Sequence, residues 1–183
     1  MFGEEAFASV LVAAKSGADW AWSAIFKELF APVTGYLASR GAAEPEDTAS
    51  EVFLKVARGI HDFDGDENSF RSWVFVIAHR SLIDDRRHRS RRPDLAAPPP
   101  EDLAEGGNVE EEAVEALVTA EVLAAFDRLT DTQRDVLSLR MVAGLSLEQT
   151  AQVLGKRIGA VKALQHRALA SLTKEIDLSQ VSK

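Results

Sequence analysis

Residues 129–172 read LTDTQRDVLSLRMVAGLSLEQTAQVLGKRIGAVKALQHRALASL, and this stretch decides the fold. Thr130 is followed three positions later by Gln133, and Ser146 by Gln149. Each pair has the spacing of a capping box, in which the hydroxyl and the amide satisfy each other's backbone N–H groups at a helix start. Gly144 separates the two predicted helices. Gly155 then allows a tight turn before IGAVKALQHRALASL, whose Ile158, Val161, Ala168, Leu169 and Leu172 form the expected core face. A short helix, a turn at glycine and a second helix with basic residues at its start make a helix-turn-helix signature.

Set into a major groove, the second helix of that pair offers Arg157 and Lys162 near its N-terminal end, with Gln165 and His166 about one turn later. Arginine can take guanine bidentately and glutamine can take adenine. Lys156 and Arg167 are placed to reach phosphates. The plainer alternative is a helical hairpin with a solvated basic face. The two caps, the glycine turn and the apolar spacing together favour DNA binding.

Working outward, a helix is predicted near 113–128, preceded at 93–112 by a proline-rich acidic segment. The net charge of −8 belongs to that middle region. Residues 1–92 carry 12 Lys/Arg against 14 Asp/Glu, residues 93–118 carry no Lys/Arg and 8 Asp/Glu, and residues 119–183 carry 9 against 7. The flanks are therefore near neutral, with local basic clusters, and the overall charge does not exclude nucleic acid. The middle segment has few large apolar residues to offset its ordering entropy and is predicted to be a flexible linker.

Upstream of the linker, PEDTASEVFLKVARGI predicts a helix opened by Pro45. Ala49, Val52, Phe53, Val56, Ala57 and Ile60 form its apolar stripe, and Asp47, Glu51, Leu54, Lys55 and Arg58 its outer face. Before it, Ile25, Phe26, Leu29, Phe30, Val33, Tyr36 and Leu37 have helical spacing after a predicted N-cap at Asp19, and Pro32 is expected to kink that helix. A long helix is predicted from near Phe70, with Phe70, Trp73, Val74 and Ile77 inward. That helix is expected to expose Arg71, His79 and Arg80, to present Phe75, and to end in the arginine block of residues 86–92. The predicted fold class is all-α, with two small helical domains at 1–92 and 113–183.

Several chemistries are excluded. The chain has no cysteine, so no disulfide or thiolate site exists. Asp62, Asp64 and Asp66 alternate as in a calcium loop, but Glu67 stands where that loop needs glycine and Trp73 where it needs glutamate. His61, His79, His88 and His166 lack zinc spacing. No phosphate loop or nucleophile elbow is present, so no enzyme, metal or cofactor is expected. MFGEEAF is not a signal peptide and WVFVIA is too short to span a bilayer, so a cytoplasmic protein without membrane insertion is expected.

Together these pieces resemble an extracytoplasmic-function sigma factor of bacterial RNA polymerase, over about Phe7 to Leu172. PEDTASEVFLKVARGI resembles the helix that binds the core polymerase clamp, which implies that Asp47, Glu51, Leu54, Lys55 and Arg58 make that contact. FRSWVFVIAHRSLIDDRRHRSRR resembles the helices that recognise and melt the −10 element. With the loop before it, it implicates Asp64, Asp66, Asn68, Arg71, His79, Arg80, Arg86 and Arg87. The 129–172 stretch resembles the −35-binding domain, implicating Lys156, Arg157, Lys162, Gln165, His166 and Arg167. The resemblance implies core polymerase, promoter DNA and an anti-sigma factor as partners. It also implies that the linker enters the polymerase cleft. The alternatives are a free-standing helix-turn-helix regulator of the LuxR type, or a protein-binding adaptor.

Overall fold

The computed structural model describes residues 2–90 and 122–181. The predicted linker at 93–112, Arg91 and Arg92, and the boundaries drawn at 92 and 113 lie outside them. Every regular element among the described residues is helical, so the chain is all-α as expected.

Helix α1 spans Glu4–Lys15 and α2 spans Asp19–Ser39. In α1, Phe7, Val10, Leu11 and Ala14 are buried at i, i+3, i+4 and i+7, the spacing that places four side chains on one face. In α2 the buried set is Ala21, Ile25, Leu29, Val33, Tyr36 and Leu37, while Phe26, expected with them, is exposed and stacks on Phe30 at 4.3 Å. Its N-cap is Ala18 rather than Asp19, which sits inside the first turn, where its charge favours the positive end of the helix macrodipole. The helix runs on through Pro32.

Helix α3, Pro45–Gly59, places proline in its first turn, where a missing N–H costs nothing. Glu46 and Asp47 stand at its positive end and Arg58 at its negative end. Ala49, Val52, Phe53 and Val56 are buried, followed by Ile60 in a 3-10 turn over Ile60–Asp62. Helix α4, Glu67–Ser90, begins one turn earlier than predicted. The reason is Asp66, whose carboxylate accepts from Ser69 N at 2.7 Å while its carbonyl accepts from Phe70 N at 2.9 Å. This is an N-cap arrangement.

The second unit begins with a helical stretch over 122–127, α5. Both predicted capping boxes are present. Thr130 and Gln133 open α6, Asp131–Leu137, and Ser146 and Gln149 open α7, Leu147–Leu154. Between them α6 widens into a π-helical turn, Ser138–Val142, and the chain reverses at Gly144 with φ +66°. Helix α7 ends at Gly155, φ +61°, ψ 34°. Gly155 N donates to Gln152 O at 3.3 Å and Lys156 N to Ala151 O at 2.9 Å, the paired bonds of a Schellman motif. Helix α8, Ile158–Val181, follows directly.

Small clusters hold the second unit together. Leu129, Leu137 and Ala168 pack with Phe126 and Leu172, and Val136, Ala151 and Val161 pack with Leu147, Leu154 and Leu164. Leu139, Ala143, Leu145 and Val153, however, belong to the same buried cluster as Phe70, Val74, Phe75 and Leu82 of α4. Helix α7 lies against α4, and the π turn lies against α2. The two units are docked.

Docking explains one correction to the reading from periodicity. Phe75, expected to be presented outward, is 0 % exposed. Its ring meets Tyr36 edge-on at 5.9 Å, and the Arg71 guanidinium lies 5.9 Å from its centroid. Two further corrections lie on α8, where Ile158 and Leu169, expected in the core, are 46 % and 39 % exposed. Val161 and Ala168 fill the contact with the helices beneath, while Ile158, the first residue of α8, and Leu169 lie outside those clusters.

Candidate nucleic-acid and polymerase interface

On α3, Asp47, Glu51, Leu54, Lys55 and Arg58 fall at i, i+4, i+7, i+8 and i+11, one stripe of the helix. All are exposed, Leu54 at 59 %. An apolar side chain left in water among charges of both signs, on a helix whose other face is fully buried, has the make-up of a protein-docking stripe. Lys55 is steadied from behind, its Nζ donating to Ser81 Oγ on α4 at 2.8 Å.

The α8 face is a second exposed surface. Lys156, Arg157, Lys162, His166 and Arg167 are all exposed around a start lined by Gly159, Ala160 and Ala163. Small residues there leave room for close backbone approach to a duplex, with cations flanking the gap. Gln165 is half-buried, its Oε1 accepting from Arg140 Nε at 3.3 Å, and Arg140 also donates to Leu145 O. Arg140 therefore fixes the amide orientation of Gln165, a role that nothing in the residue spacing marks.

The third set, on the loop before α4 and on α4 itself, divides. Asp64, Arg80 and Arg87 are exposed, and Arg87 pairs with Asp84 at 3.9 Å between two solvated side chains. Asp66 is exposed but serves as the α4 cap, and its hydrogen bonds to Ser69 hold its carboxyl below the usual carboxylate range. Asn68, Arg71, His79 and Arg86 share the helix face turned toward α2 and the second unit. Asn68 accepts from Gln149 Nε2 through its carbonyl at 3.2 Å and its side chain at 3.3 Å. Arg71 donates to Ala143 O at 2.6 Å. Arg86 donates to Arg40 O and lies 4.0 Å from Asp131. Arg71 and His79, expected to be exposed, are consequently half-buried.

His79 Nδ1 lies 2.7 Å from the Tyr36 hydroxyl. Burial first, joined by the cations Arg40 and Arg86 and opposed by Asp135, lowers the imidazole's pKa, and burial raises that of the phenol. The stable pairing is therefore a hydrogen bond between a neutral Tyr36 and a neutral His79. Beside it, Arg40 is nearly sealed, with a side chain 1 % exposed, and donates from Nε to Asp135 at 2.7 Å and from Nη2 to Asp131 at 3.4 Å. Arg40, Tyr36, Asp131 and Asp135 carry the junction of the two units. Sequence spacing had no signal for them, since Arg40 and Asp135 are 95 residues apart.

Among the described residues, no group of His, Asp and Glu could hold a metal ion, and no helix is long and apolar enough to cross a membrane.

Two family models match the chain, Sigma-70 region 2 over residues 28–92 and Sigma-70, region 4 over residues 125–174. The chain is 34 % identical over 165 residues to the ECF RNA polymerase sigma factor BldN of Streptomyces coelicolor, covering 88 % of this chain and spanning 62 % of BldN's length. It is 34 % identical to the ECF RNA polymerase sigma factor ShbA of Streptomyces griseus, covering 69 % of each chain. It is 31 % identical to the ECF RNA polymerase sigma factor SigX of Bacillus subtilis, covering 74 % of this chain and 72 % of SigX. The fold resembles CnrH in complex with the cytosolic domain of CnrY (TM-score 0.67, 22 % identity, 92 % of this chain and 96 % of that one). It also resembles the sigma factor RpoE in complex with the anti-sigma factor NepR from Bartonella quintana (TM-score 0.67, 18 % identity, 85 % and 96 %). With both sigma regions matched in order and relatives aligned across most of its length, the chain belongs to the extracytoplasmic-function sigma factors, the subunits that direct bacterial core RNA polymerase to promoters.

Proposed function

We propose that this chain works as a promoter-specificity subunit with the labour divided between its units. Residues 1–92 dock on core polymerase and open the −10 element, and residues 113–183 hold the −35 element. The acidic segment at 93–112 is the tether that passes through the polymerase cleft. The α3 stripe of Asp47, Glu51, Leu54, Lys55 and Arg58 meets the polymerase clamp. Asp64, Asp66, Asn68, Arg71, His79, Arg80, Arg86 and Arg87 serve the −10 element. Lys156, Arg157, Lys162, Gln165, His166 and Arg167 serve the −35 element.

The observation that carries this reading is one chain with two exposed faces of different chemistry. One is an apolar-centred protein stripe on α3, the other a cationic helix start on a capped helix-turn-helix. A regulator acting alone needs the second and has no use for the first. The chain itself is not a catalyst, since the polymerase makes the RNA, and its place is the cytoplasm, where the polymerase works. An anti-sigma partner is part of the proposal, supported by the complexes in which its structural relatives are seen.

The test is run-off transcription with purified bacterial core polymerase on genomic promoter fragments, with and without this chain. Promoter-dependent RNA appearing only in its presence is the expected result. Loss of that RNA on changing Leu54 to Glu, with −35 duplex binding retained, would place polymerase docking on α3. Failure of the chain to bind core polymerase at all would reject the proposal.

A further inference from the structure

Two anchors hold the loop that precedes α4, and both come from the α1 end of the chain. At one side Lys15, in the last turn of α1, donates from Nζ to the Phe63 carbonyl at 2.6 Å. At the other, the Glu67 carboxylate accepts from two successive amides. Phe2 N donates to Oε1 at 2.8 Å and Gly3 N to Oε2 at 3.2 Å, a two-amide cradle for one anion. The partners are 48, 65 and 64 residues apart in sequence, so these are tertiary ties rather than local turns.

Between the anchors the floor is aromatic. Phe7 of α1 meets Phe70 of α4 with ring centroids 5.4 Å apart, and Phe70 meets Phe63 edge-on at 5.2 Å. The loop is folded tightly over this floor. A Cβ added at Gly65 would stand 3.1 Å from Cζ of Phe63 and 3.1 Å from Cβ of Ser69. Asp64, Gly65 and Asp66 remain as an exposed span fixed on both sides. Ordering a backbone costs entropy at every residue, and a loop ordered beforehand spares ligand binding that cost.

On the reading of the chain as a sigma factor, we propose that Lys15 and Glu67 are positioning residues through which α1 holds the −10 loop in its DNA-receiving shape. Lys15 directs its ammonium at a loop carbonyl, and both oxygens of Glu67 are taken by backbone amides. Neither residue is among the polymerase or DNA contacts assigned above. Asp64 and Asp66 thus meet the −10 strand from a loop already shaped, and promoter opening depends on a helix that need not touch the promoter.

The test is promoter opening by the full chain bound to core polymerase. It is read from 2-aminopurine placed in the −10 element, whose emission rises when the base leaves the stack. Lys15→Met removes the donor and keeps most of the side-chain length, whereas Lys15→Arg restores a cationic donor. Opening should fall about tenfold in Lys15→Met, the worth of one hydrogen bond from a charged group, and largely recover in Lys15→Arg. Glu67→Gln, which can accept through one oxygen only, should weaken opening in the same direction. Binding to core polymerase and to a −35 duplex should be unchanged in all three variants.

Opening by Lys15→Met that matches the unaltered chain overturns the proposal. A loss accompanied by a salt dependence reduced by about one counterion also overturns it, because Lys15 would then be a phosphate contact. A loss shared equally by polymerase and −35 binding overturns it as well, by assigning Lys15 to fold stability alone. Should Lys15→Met fail to fold, amide hydrogen exchange decides. Protection of Phe2 and Gly3 in the unaltered chain that Glu67→Gln removes supports the clamp, and exchange at the rate of open amides overturns it. If the unaltered chain opens no promoter, the sigma reading fails, while the exchange measurement still reports whether α1 holds the loop.

Discussion

Gly59, the last residue of α3, shows how one missing methyl group positions the loop before α4. A Cβ there would stand 2.9 Å from Cζ2 and 3.3 Å from Cη2 of Trp73. That indole cannot easily retreat, because it packs against Phe63 and Phe70 with ring centroids 5.1 and 5.7 Å away. Gly59→Ala would gain up to about 1 kcal/mol of helix propensity in a helix interior, and less at a helix end. Overpacking costs about 1–3 kcal/mol and should win. The expected outcome is a lower denaturation midpoint with a changed tryptophan emission, and an unchanged midpoint would mean that Trp73 has room to move. His79 makes a second residue-scale prediction, with a definite sign. Burial first, then the cations Arg40 and Arg86 against the opposing Asp135, lowers its folded pKa from 6.5. The unfolded chain therefore binds this proton more readily, so the stability His79 contributes is complete above about pH 6.5 and is lost as pH falls through its folded pKa. Unfolding measured from pH 7.5 to 5.5 should show declining stability, and His79→Gln should flatten that decline. A slope that His79→Gln leaves intact would assign the effect to another group.

At the scale of elements, α7 joins a local device to a long-range one. Ser146 and Gln149 cap it, with Ser146 N donating to Gln149 Oε1 at 2.7 Å and Gln149 N to Ser146 Oγ at 3.1 Å. The same Gln149 amide reaches across to Asn68. Removing the cap hydroxyl costs about 1 kcal/mol, so Ser146→Ala should lower stability by about that much in chemical denaturation. Lys162→Ala, on the exposed side of α8, should stay within about 0.5 kcal/mol of the unaltered chain. It should nonetheless weaken binding to a duplex carrying the −35 element and reduce the salt dependence of that binding by about one counterion. Stability and binding moving together in both variants would argue that α8 is only a packed helix. The contrast also marks what the residues could reveal unaided. Both caps, the glycine turn and the α3 stripe are written within windows of a few residues, because the hydrogen bonds and faces involved are local. The same is true of the cations on α8. Phe75 and Arg71 had the look of an outward-facing pair because helical spacing reports which side chains share a face, not which faces later meet another unit. Ile158 and Leu169 erred in the opposite direction, since an apolar side chain at core spacing is buried only if something lies opposite it.

For the whole molecule, the decisive quantity is how strongly the two units are coupled. Leu139, Ala143, Leu145 and Val153 of the second unit share one buried cluster with Phe70, Val74, Phe75 and Leu82 of the first. Exposed pairs at the junction add little: Arg86 and Asp131, 4.0 Å apart with the Asp131 side chain 70 % exposed, belong to the class worth about 0–1 kcal/mol. Arg40 is different. Its side chain is 1 % exposed and that of Asp135 15 %, so removing the guanidinium strands a carboxylate where water does not fully reach. Breaking a buried pair from one side costs about 3–5 kcal/mol, whereas replacing both partners with apolar groups is often near neutral. The unaltered chain should therefore melt in one calorimetric transition, its units unfolding together. Arg40→Met should split that transition in two, because each unit keeps its own helices and clusters while the junction is lost. Arg40→Met combined with Asp135→Leu should draw the two transitions back together. Two resolved transitions in the unaltered chain would show that the clusters within each unit, rather than the junction, set its stability. A single transition that persists in Arg40→Met would show that the apolar contacts of α7 and the π turn suffice without the ion pair.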